Sequence, residues 1–151
     1  MKLEQYLERT QAIAHEEQAV LNQIRAELLQ ANKLNPISFR AAKSSMQVLV
    51  ENTIGKLKQV LLAHGCPIVP TRASDAAAIC KAVGYISHER SEIFQRAIGF
   101  RNTLIHDYMN FKEAALMTVL RDGLYLELFQ FLTEPVQLSD VIKNRMATYR
   151  P

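Results

Sequence analysis

The sequence predicts an all-α fold, an antiparallel up-down bundle of four to five main helices, and three observations predict it. Apolar residues recur at spacings of three, four and seven over long stretches. Five glycines and five prolines in 151 residues are fewer than the roughly 12% of average usage. Those breakers fall mostly between the periodic stretches, which leaves long uninterrupted runs and short connections. A chain of this length is one ordinary domain that buries roughly two-thirds of its unfolded surface, so residues 1–151 are read as a single domain with a short C-terminal helix or tail over 138–151.

The elements follow in order. Leu3, Tyr6, Leu7, Ile13, Ala14, Val20, Leu21, Ile24 and Leu28 trace one face of a first helix over residues 3 to about 31. Asn35-Pro36 suits a cap followed by a first-turn proline, with Ser38 a competing cap. Met46, Leu49, Thr53, Leu57, Val60 and Leu61 then carry a second helix to His64-Gly65. Cys66-Pro67-Ile68-Val69-Pro70 is a linker, because proline lacks the amide hydrogen and restricts the residue before it. A short third helix spans 73–84 and closes at Gly84, and Ser87 caps a fourth that runs to about His106 or Tyr108. Asn110 with Glu113 resembles a capping box opening a fifth helix that reaches about Thr133. Beyond Pro135, the residues Leu138, Val141, Ile142 and Met146 suggest a short last helix. In the fifth helix Leu124, Leu126, Leu128, Phe129, Phe131 and Leu132 spread more than halfway round, too wide for one core-facing stripe, and this predicts a homodimer that covers the excess.

Composition excludes several classes. No apolar run approaches the roughly 18 residues of a membrane span and the N-terminus has no apolar signal core, so a cytoplasmic protein is expected. Cys66 and Cys80 stand alone, without zinc or disulfide spacing. The net charge of +3 and pI near 9.0 allow a polyanionic partner, but the charges are dispersed. Lys43, Lys56 and Lys58 could form a basic stripe or simply a solvated helix face.

Chemistry concentrates in Arg101-Asn102-Thr103-Leu104-Ile105-His106-Asp107-Tyr108. Arg101 lies on the line of Phe94, Ile98, Ile105 and Tyr108, so a guanidinium occupies an apolar position and requires a carboxylate, an interface or an anion. Asn102 and His106, four apart, share a face, whereas Arg101 and His106 point roughly 140° apart on a regular helix. A cleft on a two-fold axis would bring both sets together. Cleaving RNA needs a base for the 2′-hydroxyl proton, an acid for the departing 5′-oxygen and a fixed cation for the phosphorus oxygens. Histidine and arginine supply these functions, no cofactor or metal is called for, and the chain has no acidic metal-ligand cluster. With ten arginines and four histidines, a bare Arg–His pair five apart arises in roughly one shuffled sequence in four. Arg9 and His15, six apart, form a decoy in the first helix that nearly satisfies a looser version of the spacing. The Asn after Arg101 and the Tyr two residues after His106 make the second occurrence specific.

This string resembles the HepT family of the HEPN superfamily, whose signature is Arg, four residues, His, one residue, Tyr, usually with Asn after the Arg. The similarity runs from about Arg40, through the Pro67 to Pro70 linker and the Gly84 turn, to Leu132. The resemblance implies a helical homodimer, a toxin acting as a metal-independent endoribonuclease, and a partner encoded beside it, a minimal nucleotidyltransferase antitoxin. It implies Arg101 and His106 as the catalytic pair, Asn102 orienting them, and Tyr108 as acceptor of adenylyl groups (AMPylation). Asp107 could orient His106 or hold Arg101, or be a solvated helix-end residue. The alternative from another class is a non-catalytic helical module that docks a nucleotidyltransferase and presents nucleotide or substrate to it. Weaker still is a purely structural bundle.

Overall fold

The computed structural model describes residues 2–106, 109 and 111–151. Seven helices and no strand are present among them: α1 (Leu3–Ala31), α2 (Pro36–Ala63), α3 (Ala73–Ala82), α4 (His88–His106), α5 (Glu113–Asp122), α6 (Leu124–Thr133) and α7 (Asp140–Ala147). The expected all-α architecture is the one observed.

Local chemistry sets most boundaries. Asn35 caps α2 by accepting from the Ser38 amide at 2.8 Å, and the Ser38 hydroxyl, free of that task, donates to Glu27 of α1 at 2.8 Å. Ser87 accepts from the Arg90 amide at 3.0 Å ahead of α4, and Ser139 accepts from Ile142 at 3.2 Å ahead of α7. Gly84, at φ 88°, turns the chain out of α3. The proposed capping box fares differently: Asn110 lies outside the described residues, and α5 starts at Glu113 behind Lys112 with no side-chain capping bond.

The long fifth helix is two helices. Gly123 takes a left-handed conformation at φ 71° and φ is sterically costly there for any residue with a side chain, so the rod breaks into α5 and α6. The break explains the broad apolar face. α6 lies among α1, α2, α4 and α5, which bury Leu124, Tyr125, Leu128, Phe131 and Leu132 within one chain. Leu126 alone of this group is well exposed, at 40%. The width that suggested a second copy is thus consumed inside the protomer, because a central helix needs apolar residues on several sides.

Two polar devices fasten α6. Lys56 of α2 is fully buried, its ammonium donating to the Phe131 carbonyl and, at 3.0 Å, to that of Glu134, where α6 ends. It therefore belongs to no basic stripe; Lys58 likewise is spent on the Thr71 carbonyl, at 2.7 Å. Arg90, in the first turn of α4, donates to Glu127 at 2.8 Å and to both carboxylate oxygens of Glu134, so it grips the start and the end of α6 together. Cys66 and Cys80 are free and buried, and burial pushes the Cys80 thiol well above its ordinary range. No helix among the described residues is long and apolar enough to cross a membrane.

Candidate active site

The buried side of α4 changes character along its length. Phe94 and Ile98 are buried in the core, Arg101 follows on the same line, and beyond it Leu104 takes the buried place while Ile105 is 40% exposed. The predicted stripe through Ile105 therefore ends early, since the last turn of α4 extends past the apolar body of the bundle. Asn102, Thr103, Ile105 and His106 are all exposed there.

Arg101 has the carboxylate that its position demanded. Its side chain is only 17% exposed, and Nε lies 3.2 Å from Oε1 of Glu51 on α2, itself 47% exposed. The contact is an ion pair whose geometry falls short of a hydrogen bond, and Nε is sealed from solvent. Among the described residues neither terminal amino group of the guanidinium has a partner. Anchored by one edge, Arg101 keeps its two-pronged end available, the part that grips phosphate oxygens in a fork.

His106 is the last residue of α4 and has no hydrogen-bond partner among the described residues. The other three histidines are engaged elsewhere. His15 packs edge-on against Phe129 with centroids 5.1 Å apart, His64 Nδ1 lies 2.9 Å from the Val60 carbonyl, and His88 lies 3.2 Å from Glu92. The Arg9–His15 decoy thus has its imidazole occupied by packing. No described contact joins Arg101, Asn102 and His106 to one another, and a regular helix separates Arg101 and His106 by about 7.5 Å along its axis. Asp107 and Tyr108 lie outside the described residues.

Two features escaped the sequence reading. Glu51 is one of many carboxylates in a helical pattern, and only the packing of α2 on α4 distinguishes it. Beside Arg101 lies a small recess of about 250 Å³ that Arg101 and Asn102 share with Thr71, Arg72 and Ser74 at the start of α3. The larger grooves, such as the one of about 1080 Å³ between α1 and the segment after α6, are lined by none of the predicted site residues.

A sequence-family model described as Ribonuclease HepT-like matches residues 3–134. No curated protein sequence matches the chain. Among solved structures, a chain from "Crystal structure of the toxin-antitoxin with AMP-PNP" is similar in fold, with a TM-score of 0.70 and 16% identity over 91% of this chain and 97% of that one.

Proposed function

Because the chain belongs to the HepT-like ribonuclease family, we propose that it is the toxin of a toxin–antitoxin pair, a cytoplasmic endoribonuclease that cuts RNA in a cleft between two copies of itself. The observation that carries the reading is Arg101, held through Nε by Glu51 with its terminal amino groups unspent, next to the exposed Asn102 and about 1.4 helical turns from the exposed His106.

The chemistry takes its nucleophile from the substrate. One His106 removes the proton of the ribose 2′-hydroxyl, the 2′-oxygen bonds to phosphorus, and the bond to the 5′-oxygen breaks. A second, protonated His106 from the partner copy gives its proton to that 5′-oxygen, leaving a cyclic phosphate and a 5′-hydroxyl. Arg101 bears the charge that builds on the phosphorus oxygens, and Asn102 orients Arg101 and His106. Two copies are required because a single α4 points Arg101 and His106 to different sides. The homodimer rests on this requirement rather than on α6. A minimal nucleotidyltransferase antitoxin would silence the site by adenylylating Tyr108, which sets a negative phosphate beside Arg101 and His106, or by occluding the cleft. The likeness in fold to a chain of a toxin–antitoxin structure supports a paired system.

Arg101→Ala provides the direct test. RNA binding is expected to weaken far more than thermal stability, because Glu51, half exposed, is left hydrated rather than stranded. A melting temperature many degrees lower with unchanged RNA affinity would mark Arg101 as a structural ion pair instead. Glu51→Gln is expected to leave melting within about 2 °C of wild type yet reduce cleavage roughly tenfold, as the guanidinium loses its anchor. Equal rates for Glu51→Gln and wild type would remove Glu51 from the machinery. The competing reading, a docking module without activity, would appear as a wild-type protein inert towards RNA in EDTA that still retains the nucleotidyltransferase in a pull-down.

A further inference from the structure

We propose that the recess beside Arg101 holds a second backbone phosphate of the RNA, adjacent to the one that is cut, and that Arg72 positions it. This rests on the ribonuclease reading above and extends it to how the strand is laid along the protein.

The recess is built from two elements. Arg72, Thr71 and Ser74 come from the start of α3, and Arg101 and Asn102 from α4. Two arginines therefore line about 250 Å³ of shared space, and no acidic residue lines it. Arg101 has Glu51 at its Nε edge, but Arg72 is exposed and its side chain has neither ion pair nor hydrogen bond among the described residues. Two cationic residues at one small volume raise its positive potential, and an anion bound there relieves their mutual repulsion. The amide of Asn102 and the hydroxyls of Thr71 and Ser74 supply neutral donors of the kind that phosphate oxygens accept.

Direction along α4 identifies the occupant. The recess also borders Ile98, so it lies on the side of Arg101 that faces the first half of α4, whereas His106 lies more than a turn beyond Arg101 on the other side. A strand whose scissile phosphate is gripped by Arg101 in the cleft between two copies and which continues along α4 away from His106 brings its next phosphate to Arg72. The Arg101 fork is taken by the scissile phosphate, so Arg101 adds only its positive field to the recess and Arg72 makes the direct contact to the second phosphate. Since the recess offers cations and donors without an aromatic platform, it grips the backbone and leaves the base unread.

The experiment uses the full-length protein and a 2′-O-methyl RNA oligonucleotide, which lacks the free 2′-hydroxyl and so binds without being cut. Arg72→Gln is expected to bind about tenfold more weakly and to lower the slope of log affinity against log salt by about 0.7, the value of one phosphate contact on a single strand. Arg72→Lys is expected to recover most of the slope, because a cation without a fork still neutralises a phosphate. On cleavable RNA, Arg72→Gln is expected to raise KM and spare kcat. Wild-type affinity and slope in Arg72→Gln, with weakened binding in Arg101→Gln, would overturn the subsite and leave the ribonuclease reading standing. A fall in kcat at unchanged KM would likewise overturn it. Absence of RNA binding by the wild-type protein would overturn both.

Discussion

Replacing His106 with alanine is expected to reduce RNA cleavage in EDTA by about a thousandfold, within the range set by loss of a positioned acid or base. The fold is expected to tolerate the change. His106 is exposed at the end of α4 with no hydrogen-bond partner among the described residues, so the alanine variant loses at most a favourable interaction with the helix terminus, worth up to about 1 kcal/mol. Helical circular dichroism and sedimentation as a dimer should match wild type. If the two proteins cleave at the same rate, the histidine has no part in the chemistry and the proposed mechanism fails at its central step. A variant that is inactive because it is unfolded would show that in the circular dichroism, which separates the two causes.

The largest stability effect is expected at Lys56, far from the chemistry. Lys56→Ala removes a fully buried side chain that donates to the carbonyls of Phe131 and Glu134, leaving a void and two unserved acceptors. The cost is about 3 kcal/mol, and the melting temperature should fall by roughly 10 °C. Burial lowers the Lys56 ammonium from 10.5 to about 8, outweighing the attraction of Glu134, and Arg90 pushes in the same direction as burial. Between those two values the unfolded chain holds more protons than the folded one, so raising the pH favours the fold. Relative to Lys56→Met, which cannot titrate there, wild type should gain up to about 1 kcal/mol of stability between pH 7 and pH 9. Cys80 and Tyr85, both pushed upward by burial, lower the stability of both proteins at higher pH and cancel in the comparison. Parallel stability curves for the two proteins in urea titrations would contradict this account of the buried ammonium.

The parts of the fold that were legible in the sequence are those with local causes. Asn35, Ser87 and Ser139 lie immediately ahead of the helices they cap, and Gly84 lies just after the helix it ends, so each acts over three or four residues. Gly123 was harder, since one glycine inside a helical pattern can be tolerated, and only its left-handed backbone reveals the break. Lys56 was misassigned to the surface because a lysine is usually solvated, and nothing within a turn of it announces the carbonyls 75 and 78 residues away that it serves. The residues proposed for the candidate site could be named from sequence because Arg101, Asn102 and His106 lie within two turns of one helix. Glu51 and Arg72 could not, since each joins it only through the packing of another helix against α4.

Arg90 gives α4 a division of labour. Its guanidinium ties the first turn to both ends of α6, whereas the residues proposed for catalysis occupy the last two turns, largely outside that grip. The fold is therefore fastened at one end of the rod and the proposed chemistry lies at the other. Substitutions at the exposed Asn102 and His106 are accordingly expected to leave the fold intact, so a variant altered there would still accumulate as a folded protein.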